Sequence, residues 1–163
     1  MKKRVYIKTT IVSYLTAKPS PLLHTVARQE ITRDWWERRR ALYDLCLSQI
    51  VLDEAGDGDP VPARRRLAVV KDMAVLAVTQ EARALARSLV AEGLLPEAAS
   101  TDALHLALAT IHRVEVLLTW NCRHLANAEI LGDIGDAVRD RGYRMPMVCT
   151  PEELMGNEGS DNG

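Results

Sequence analysis

"VYIKTTIVSYL", residues 5–15, is a short apolar strand that runs through a polar turn into a second apolar segment. The run RVYI at 4–7 is rich in β-branched and aromatic residues, which predicts a strand, and residues 9–15 predict the start of a helix. Lys8 stands between the two, at the end of the strand. Because α/β proteins bind ligands outside the carboxyl ends of parallel strands, the role of Lys8 is the main question that this sequence poses.

The alternation of strand and helix continues along the chain. Further strands are predicted in four short apolar runs, at 49–52, 75–78, 115–119 and 147–150. One long helix is predicted at 24–47, and others at 79–92, 100–112 and 126–141. This order predicts an α/β fold, a three-layer α/β/α sandwich with a mainly parallel central sheet. No glycine-rich phosphate loop follows a predicted strand, which disfavours nucleotide binding.

The composition is that of a soluble globular protein. The 163 residues are 47% hydrophobic and 26% charged, which is enough for a sizeable core. We expect a single domain at 1–155 and a disordered tail at 156–163, because the tail has no apolar residue. The formal net charge is -1, so no overall field attracts nucleic acid. The arginine triplets at 38–40 and 64–66 are either solvated helix faces or local anion sites.

The cysteines and the hydropathy bear on the cell compartment. The three cysteines are widely spaced and include no C-x-x-C pair, which disfavours a zinc site and a disulfide framework. No run approaches the ~18 apolar residues of a membrane span, and no signal-peptide segment begins the chain. We therefore expect a cytoplasmic protein that has no membrane partner.

Polar residues recur where strands end or where the next helix begins. They are Lys8, the pair Asp53 and Glu54, Asp102 and Asn121. Each has a structural explanation, since acids favour the first turn of a helix and asparagine caps helices. Their convergence on one edge of one sheet instead favours a site of hard oxygen ligands, as Mg²⁺ prefers. The corresponding chemistry is metal-assisted phosphodiester hydrolysis.

Four segments resemble, in order and spacing, the motifs of PIN-domain proteins, the group that holds the VapC-type toxins. They are residues 5–15, IVLDEAGDGDP at 50–60, TDALHLALAT at 101–110 and LLTWNCRHLAN at 117–127. The resemblance covers about residues 4–155. It implies a parallel α/β/α sandwich, an acidic Mg²⁺ or Mn²⁺ site and endoribonuclease activity on RNA. It also implies a homodimer and an antitoxin protein partner, with DNA contacted only through that antitoxin.

The resemblance assigns site residues position by position. Glu54 matches the second acid of the family, with Asp53 as a weaker candidate, and Asp102 matches the third acid. Asn121 matches a position that is Asp or Asn in relatives, and Thr119 matches the hydroxyl residue before it. The resemblance thus implies four catalytic residues, Glu54, Asp102, Asn121 and Thr119. It implies that the first three also bind the metal, whereas Thr119 supplies a hydroxyl.

Lys8 departs from the family, because relatives resembling this chain carry Asp or Glu there. An ammonium has no lone pair to give a metal. At ~4 Å and an effective dielectric of ~20, it also repels a divalent ion by roughly 8 kcal/mol. We therefore expect Lys8 to lie between Glu54 and Asp102 in the place of the metal, which predicts a disabled nuclease site. His124 also stands where many relatives carry a further acid.

The lysine leaves two functions open. The first is a metal-dependent endoribonuclease that is inactive or impaired in this chain, either naturally or through a deliberate change at position 8. The alternative is a catalytically dead PIN-fold protein that acts as a protein- or RNA-binding module.

Histidines and tryptophans provide further candidates. His105 lies three residues after Asp102, which suggests either a transition-metal site or a hydrogen-bonded core histidine. The core reading is favoured, because no second acid-x-x-His pair completes a metal site. Trp35 and Trp36 lie among arginines and could stack on single-stranded RNA. We expect one of the two to belong to the core.

Overall fold

The computed structural model describes residues 1–121, 123–125 and 127–156. Within them, five parallel strands form one sheet in the order β3-β2-β1-β4-β5. The strands are β1 (Lys3–Ile7), β2 (Tyr43–Ser48), β3 (Ala74–Leu76), β4 (Val116–Leu118) and β5 (Met147–Cys149). The helices are α1 (Thr9–Thr16), α2 (Leu23–Arg38), α3 (Gln49–Ala55), α4 (Pro60–Val70), α5 (Gln80–Ala91), α6 (Ser100–Ile111) and α7 (Ala128–Asp140).

The direction of the connections reverses at β1. The chain runs from β1 to β2 to β3 toward one edge through α1–α4, and then returns past β1 to β4 and β5 through α5–α7. Because crossovers between parallel strands are right-handed, these two directions place the two sets of helices on opposite faces. The neighbours β1 and β4 flank the reversal, which is where open α/β sheets bind ligands.

The central strands and α6 form the middle of the core. Val5, Tyr6 and Ile7 of β1 are fully buried, and so are all three residues of β4, as expected for strands covered on both faces. In α6, the buried residues run almost continuously from Ala103 to Thr110, which agrees with its apolar character on nearly all sides.

The second strand is not where the sequence pattern placed it. The prediction of a strand at 49–52 was wrong, because these residues begin α3 and β2 precedes them. The long helix predicted at 24–47 ends at Arg38, and a 3₁₀ turn leads into β2. A short apolar run has no period that separates strand from helix. The pairing of neighbouring strands decides which segment is the strand, because Cys46 of β2 lies beside both β1 and β3.

The ends and lengths of the elements bear on two further expectations. Apart from Gly156, the tail predicted at 156–163 lies outside the described residues. Among the described helices, none has the length and apolar character needed to cross a membrane.

Candidate active site

Lys8 follows β1 directly and its side chain is buried. Its backbone N–H donates to the carbonyl of Leu118 in β4 at 3.1 Å, so the residue continues the sheet pairing before α1 begins. Only 4% of Lys8 is exposed to solvent. A buried ammonium must be paired and hydrogen-bonded to be tolerated, so its partners define the site.

Asp102, in the first turn of α6, is the partner of Lys8. The ammonium donates to Asp102 Oδ1 at 2.7 Å, and the side-chain amide of Asn121 donates to Asp102 Oδ2 at 2.9 Å. Both oxygens of this carboxylate are therefore occupied. The structure brings Lys8, Asp102 and Asn121 together at the carboxyl edge of β1 and β4.

Thr119 shapes the turn that presents Asn121. Its hydroxyl accepts the backbone N–H of Asn121 at 2.9 Å, and the side chain is fully buried. The Asn121 side-chain oxygen accepts the backbone N–H of His124 at 3.1 Å, so the capping role considered for this asparagine is also present. Thr119 has no hydrogen bond to either Glu54 or Asp102 among the described contacts.

Glu54 reaches the same edge from α3, and Asp53 does not. Oε1 of Glu54 lies 2.6 Å from Nε2 of His105, one turn after Asp102 in α6. Asp53 is exposed and accepts a hydrogen bond from Gln49 at 2.8 Å. Burial raises the pKa of Glu54, but the hydrogen bond from His105 and the positive charge of Lys8 outweigh it, and the net pKa is below its usual value.

A chain of hydrogen bonds continues inward from Glu54. Nδ1 of His105 lies 2.7 Å from the Tyr6 hydroxyl, which lies 2.7 Å from the Ser48 hydroxyl. His105 and Tyr6 are fully buried. The interpretation of His105 as a hydrogen-bonded core residue agrees with this geometry, but sequence reasoning missed Tyr6 and Ser48. If the end of β2 had been predicted correctly, Ser48, its last residue, would have been recognised as a polar residue at the end of a strand.

The direction of these bonds follows from the protonation of His105. Burial lowers the pKa of His105 despite the opposing carboxylate of Glu54, so the ring is neutral at pH 7 and carries one N–H. An ionised Glu54 can only accept, so the proton is on Nε2 and Nδ1 accepts from the Tyr6 hydroxyl. The Tyr6 oxygen then accepts from Ser48. All the donors therefore point toward Glu54.

The two tryptophans differ in burial, and one of them belongs to the core, as expected. Trp35 is fully buried and stacks on Tyr43, so it belongs to the core. Trp36 is partly buried, and the guanidinium of Arg40 lies 4.7 Å from its ring centroid. In the other arginine triplet, Arg66 donates to backbone carbonyls around the end of α3.

Comparison with solved structures bears on the whole architecture. A crystal structure of VapBC2 from Rickettsia felis, bound to a DNA fragment from their promoter, matches this chain with a TM-score of 0.59 at 13% sequence identity. The match covers 90% of this chain and 98% of the matched chain. The fold is PIN-like. This confirms the predicted α/β/α sandwich. No protein-family model and no curated protein matches the chain.

The residues at this edge of the sheet do not fit a divalent metal ion. In the part of the chain that the structure describes, no group of three His, Cys, Asp or Glu side chains is arranged to hold one. Asp102 has both oxygens bonded, and Glu54 has one oxygen bonded to His105. Lys8 adds a positive charge and no lone pair. The Mg²⁺ or Mn²⁺ that the family resemblance implies therefore lacks an adequate ligand set.

We expect the stability of this PIN-like chain to fall as the pH drops below about 6.5, the ordinary pKa of histidine. Because the folded pKa of His105 is lowered, the unfolded chain takes up a proton there that the folded chain rejects. The slope should approach ~1.4 kcal/mol per pH unit. The folded pKa of Glu54 is also lowered, so its contribution has the same sign but fades only below its ordinary value of 4.5.

Urea unfolding between about pH 7.5 and 5.5 measures this slope. His105→Gln should flatten it, whereas Thr110→Val, a buried change in the same helix that removes no titratable group, should leave it unchanged. An undiminished slope in His105→Gln would assign the pH dependence to another group.

Proposed function

We propose that this chain has the architecture of a PIN-type, metal-dependent endoribonuclease whose hydrolysis is disabled by Lys8. The observation that supports the proposal is the ammonium of Lys8 at 2.7 Å from Asp102, with Glu54 and Asn121 at the same sheet edge. In a metal-dependent nuclease, the ion at such an edge activates water and neutralises charge on the phosphate. An ammonium supplies one positive charge but activates no water.

The position of Lys8 explains why hydrolysis should fail. Its hydrogen bond to Asp102 is short and Lys8 is buried, so we expect the lysine side chain to keep this bond rather than rotate out into solvent. A metal entering the cleft would have to displace a paired charge and then face repulsion of roughly 8 kcal/mol at ~4 Å. We therefore propose that Mg²⁺ or Mn²⁺ binds weakly or not at all, and that Glu54, Asp102, Asn121 and Thr119 are an inherited catalytic set without its ion.

The similarity to VapBC2 supports a toxin–antitoxin setting for the proposal. We propose a single PIN-like domain at residues 1–155 that acts in the cytoplasm, forms a homodimer and binds an antitoxin protein. RNA is the proposed substrate class. The solved VapBC2 complex includes promoter DNA, and we propose that DNA reaches this chain only through an antitoxin.

A second function, a protein- or RNA-binding module without catalysis, is favoured by the completeness of the Lys8 cluster. The ammonium of Lys8 and the amide of Asn121 both donate to the carboxylate of Asp102, and Lys8 is buried, as in an integral part of a folded core. RNA that is bound but not cleaved, in the presence of Mn²⁺, would favour this function over an impaired enzyme.

The proposal is tested by titrating Mn²⁺ into the chain while RNA cleavage is followed. We expect no metal-dependent cleavage and a Mn²⁺ affinity at least ~100-fold below that of Lys8→Glu, because the charge at the site is reversed. The matched control is Asp136→Ala, an exposed acid on α7, which should change neither result. Metal-dependent cleavage that disappears in Asp102→Ala but not in Asp136→Ala would contradict the proposal.

A further inference from the structure

The two acids of the candidate site are held in different ways. Asp102 is held by Lys8 and by Asn121. Glu54 is held by a neutral chain of donors that runs from Ser48 through Tyr6 to His105, with separations of 2.7, 2.7 and 2.6 Å. Replacing Lys8 would therefore remove one restraint on Asp102 and leave the restraint on Glu54 in place.

The chain of donors connects the centre of the core to a solvent-accessible carboxylate. Ser48 ends β2, Tyr6 lies in β1, His105 lies in α6 and Glu54 lies in α3. Two strands and two helices must therefore be correctly positioned relative to one another for the hydrogen bonds to form. The first three side chains are fully buried, whereas the side chain of Glu54 is 36% exposed. Glu54 satisfies the buried Nε2–H of His105, and in return the buried ring restrains a carboxylate at the rim of the cleft.

We propose that His105, oriented by Tyr6 and Ser48, is a positioning residue that fixes Oε1 of Glu54 and thereby orients this carboxylate toward a ligand in the cleft. The identity of that ligand, a divalent metal once Lys8 is replaced by an acid, rests on the proposed function. The positioning itself does not, because it is a property of the metal-free chain. Comparable outer partners of ligating side chains fix their orientation in metal sites.

Tyr6→Phe is the sharpest test, because it removes one hydroxyl and keeps the ring that fills the core. In the chain as it stands, nitrogen NMR of the His105 ring should show the single tautomer with the proton on Nε2. Side-chain couplings should show Glu54 in one rotamer. In Tyr6→Phe, the ionised Glu54 still keeps the proton on Nε2. However, Nδ1 loses the donor that fixes the orientation of the ring, so we expect a rotamer-averaged Glu54.

Thr110→Val is the matched control for general loss of stability. Thr110 is a buried residue of α6 whose hydroxyl donates to the carbonyl of Leu106, away from the chain of donors. This variant should lose stability and yet keep the His105 tautomer and the Glu54 rotamer. The proposal is overturned if Tyr6→Phe leaves the Glu54 rotamer unchanged, or if Thr110→Val alters it equally.

A second measurement uses Mn²⁺ as the probe in the Lys8→Glu background. Adding Tyr6→Phe there should weaken Mn²⁺ binding ~10-fold or more, as loss of an outer partner does in known sites, and adding Thr110→Val should not. Unchanged affinity with Tyr6→Phe would overturn the positioning role. If Lys8→Glu itself binds no Mn²⁺, the proposed function fails, and the Glu54 rotamer in the metal-free chain still decides the positioning role.

Discussion

Lys8→Glu should turn this chain into a Mn²⁺-dependent ribonuclease. The change replaces a cation that lies against Asp102 with a carboxylate, which removes a repulsion of roughly 8 kcal/mol toward a divalent ion and adds a ligand. Glutamate is chosen because the family resemblance of YIKTT, residues 6–10, implies it at this position. Calorimetry with Mn²⁺ and a cleavage assay on RNA measure the gain, which we expect to be orders of magnitude in affinity.

Three further variants separate a restored site from a merely emptied one. Lys8→Met removes the charge without supplying a ligand and should bind Mn²⁺ far more weakly than Lys8→Glu. In the Lys8→Glu background, Asp102→Ala and Glu54→Ala should each abolish cleavage. If Lys8→Glu gains neither Mn²⁺ binding nor cleavage, Lys8 does not replace a metal ligand, and the binding-module function becomes the better account.

Asp102→Asn should destabilise the fold by about 3–5 kcal/mol, the range found when one partner of a buried ion pair is removed. The substitution keeps the shape of the side chain but leaves the ammonium of Lys8, which is only 4% exposed, without a counter-charge. Urea unfolding at neutral pH measures the loss.

The double variant Lys8→Met with Asp102→Leu should recover most of that loss. Apolar replacement of a whole buried ion pair is often neutral, because the desolvation cost of both charges is removed together. For comparison, Asp136→Asn breaks the pair with Arg139 on the surface of α7 and should cost less than about 1 kcal/mol. A loss in Asp102→Asn as small as that in Asp136→Asn would mean that Lys8 finds water in the folded chain.

The fold class could be predicted from the sequence, and so could most of the polar residues that lie at strand ends. The RVYI run and the apolar 115–119 segment predicted strands close to β1 and β4, because strands buried on both faces are apolar throughout. Once those two strands are adjacent, Lys8 and Asn121 must lie at one edge. The expectation that Lys8 lies between Glu54 and Asp102 agrees with the structure for Asp102, whereas Glu54 pairs with His105 and has no ion pair with Lys8 among the described contacts.

The chain of donors behind Glu54 could not be predicted, and the reason is physical. The second strand was predicted in the apolar run at 49–52, so Ser48 was not recognised as a polar residue at the end of a strand. Tyr6 is an aromatic residue in a strand, where its ring accounts for its presence without its hydroxyl. The pairing of His105 with Glu54 depends on how α3 packs near α6, which no local pattern encodes.

The central claim, that Lys8 stands in place of a metal ion, is tested most directly by melting curves of two proteins with and without Mn²⁺. Metal-free Lys8→Glu should melt below the chain as it stands, because its carboxylates crowd together without a cation. At ~100 times its Kd, Mn²⁺ adds about 2.7 kcal/mol and should raise the Tm of Lys8→Glu by about 5–10 °C. The chain as it stands should show no such rise. An equal rise in both proteins, or a rise in neither, would contradict the claim.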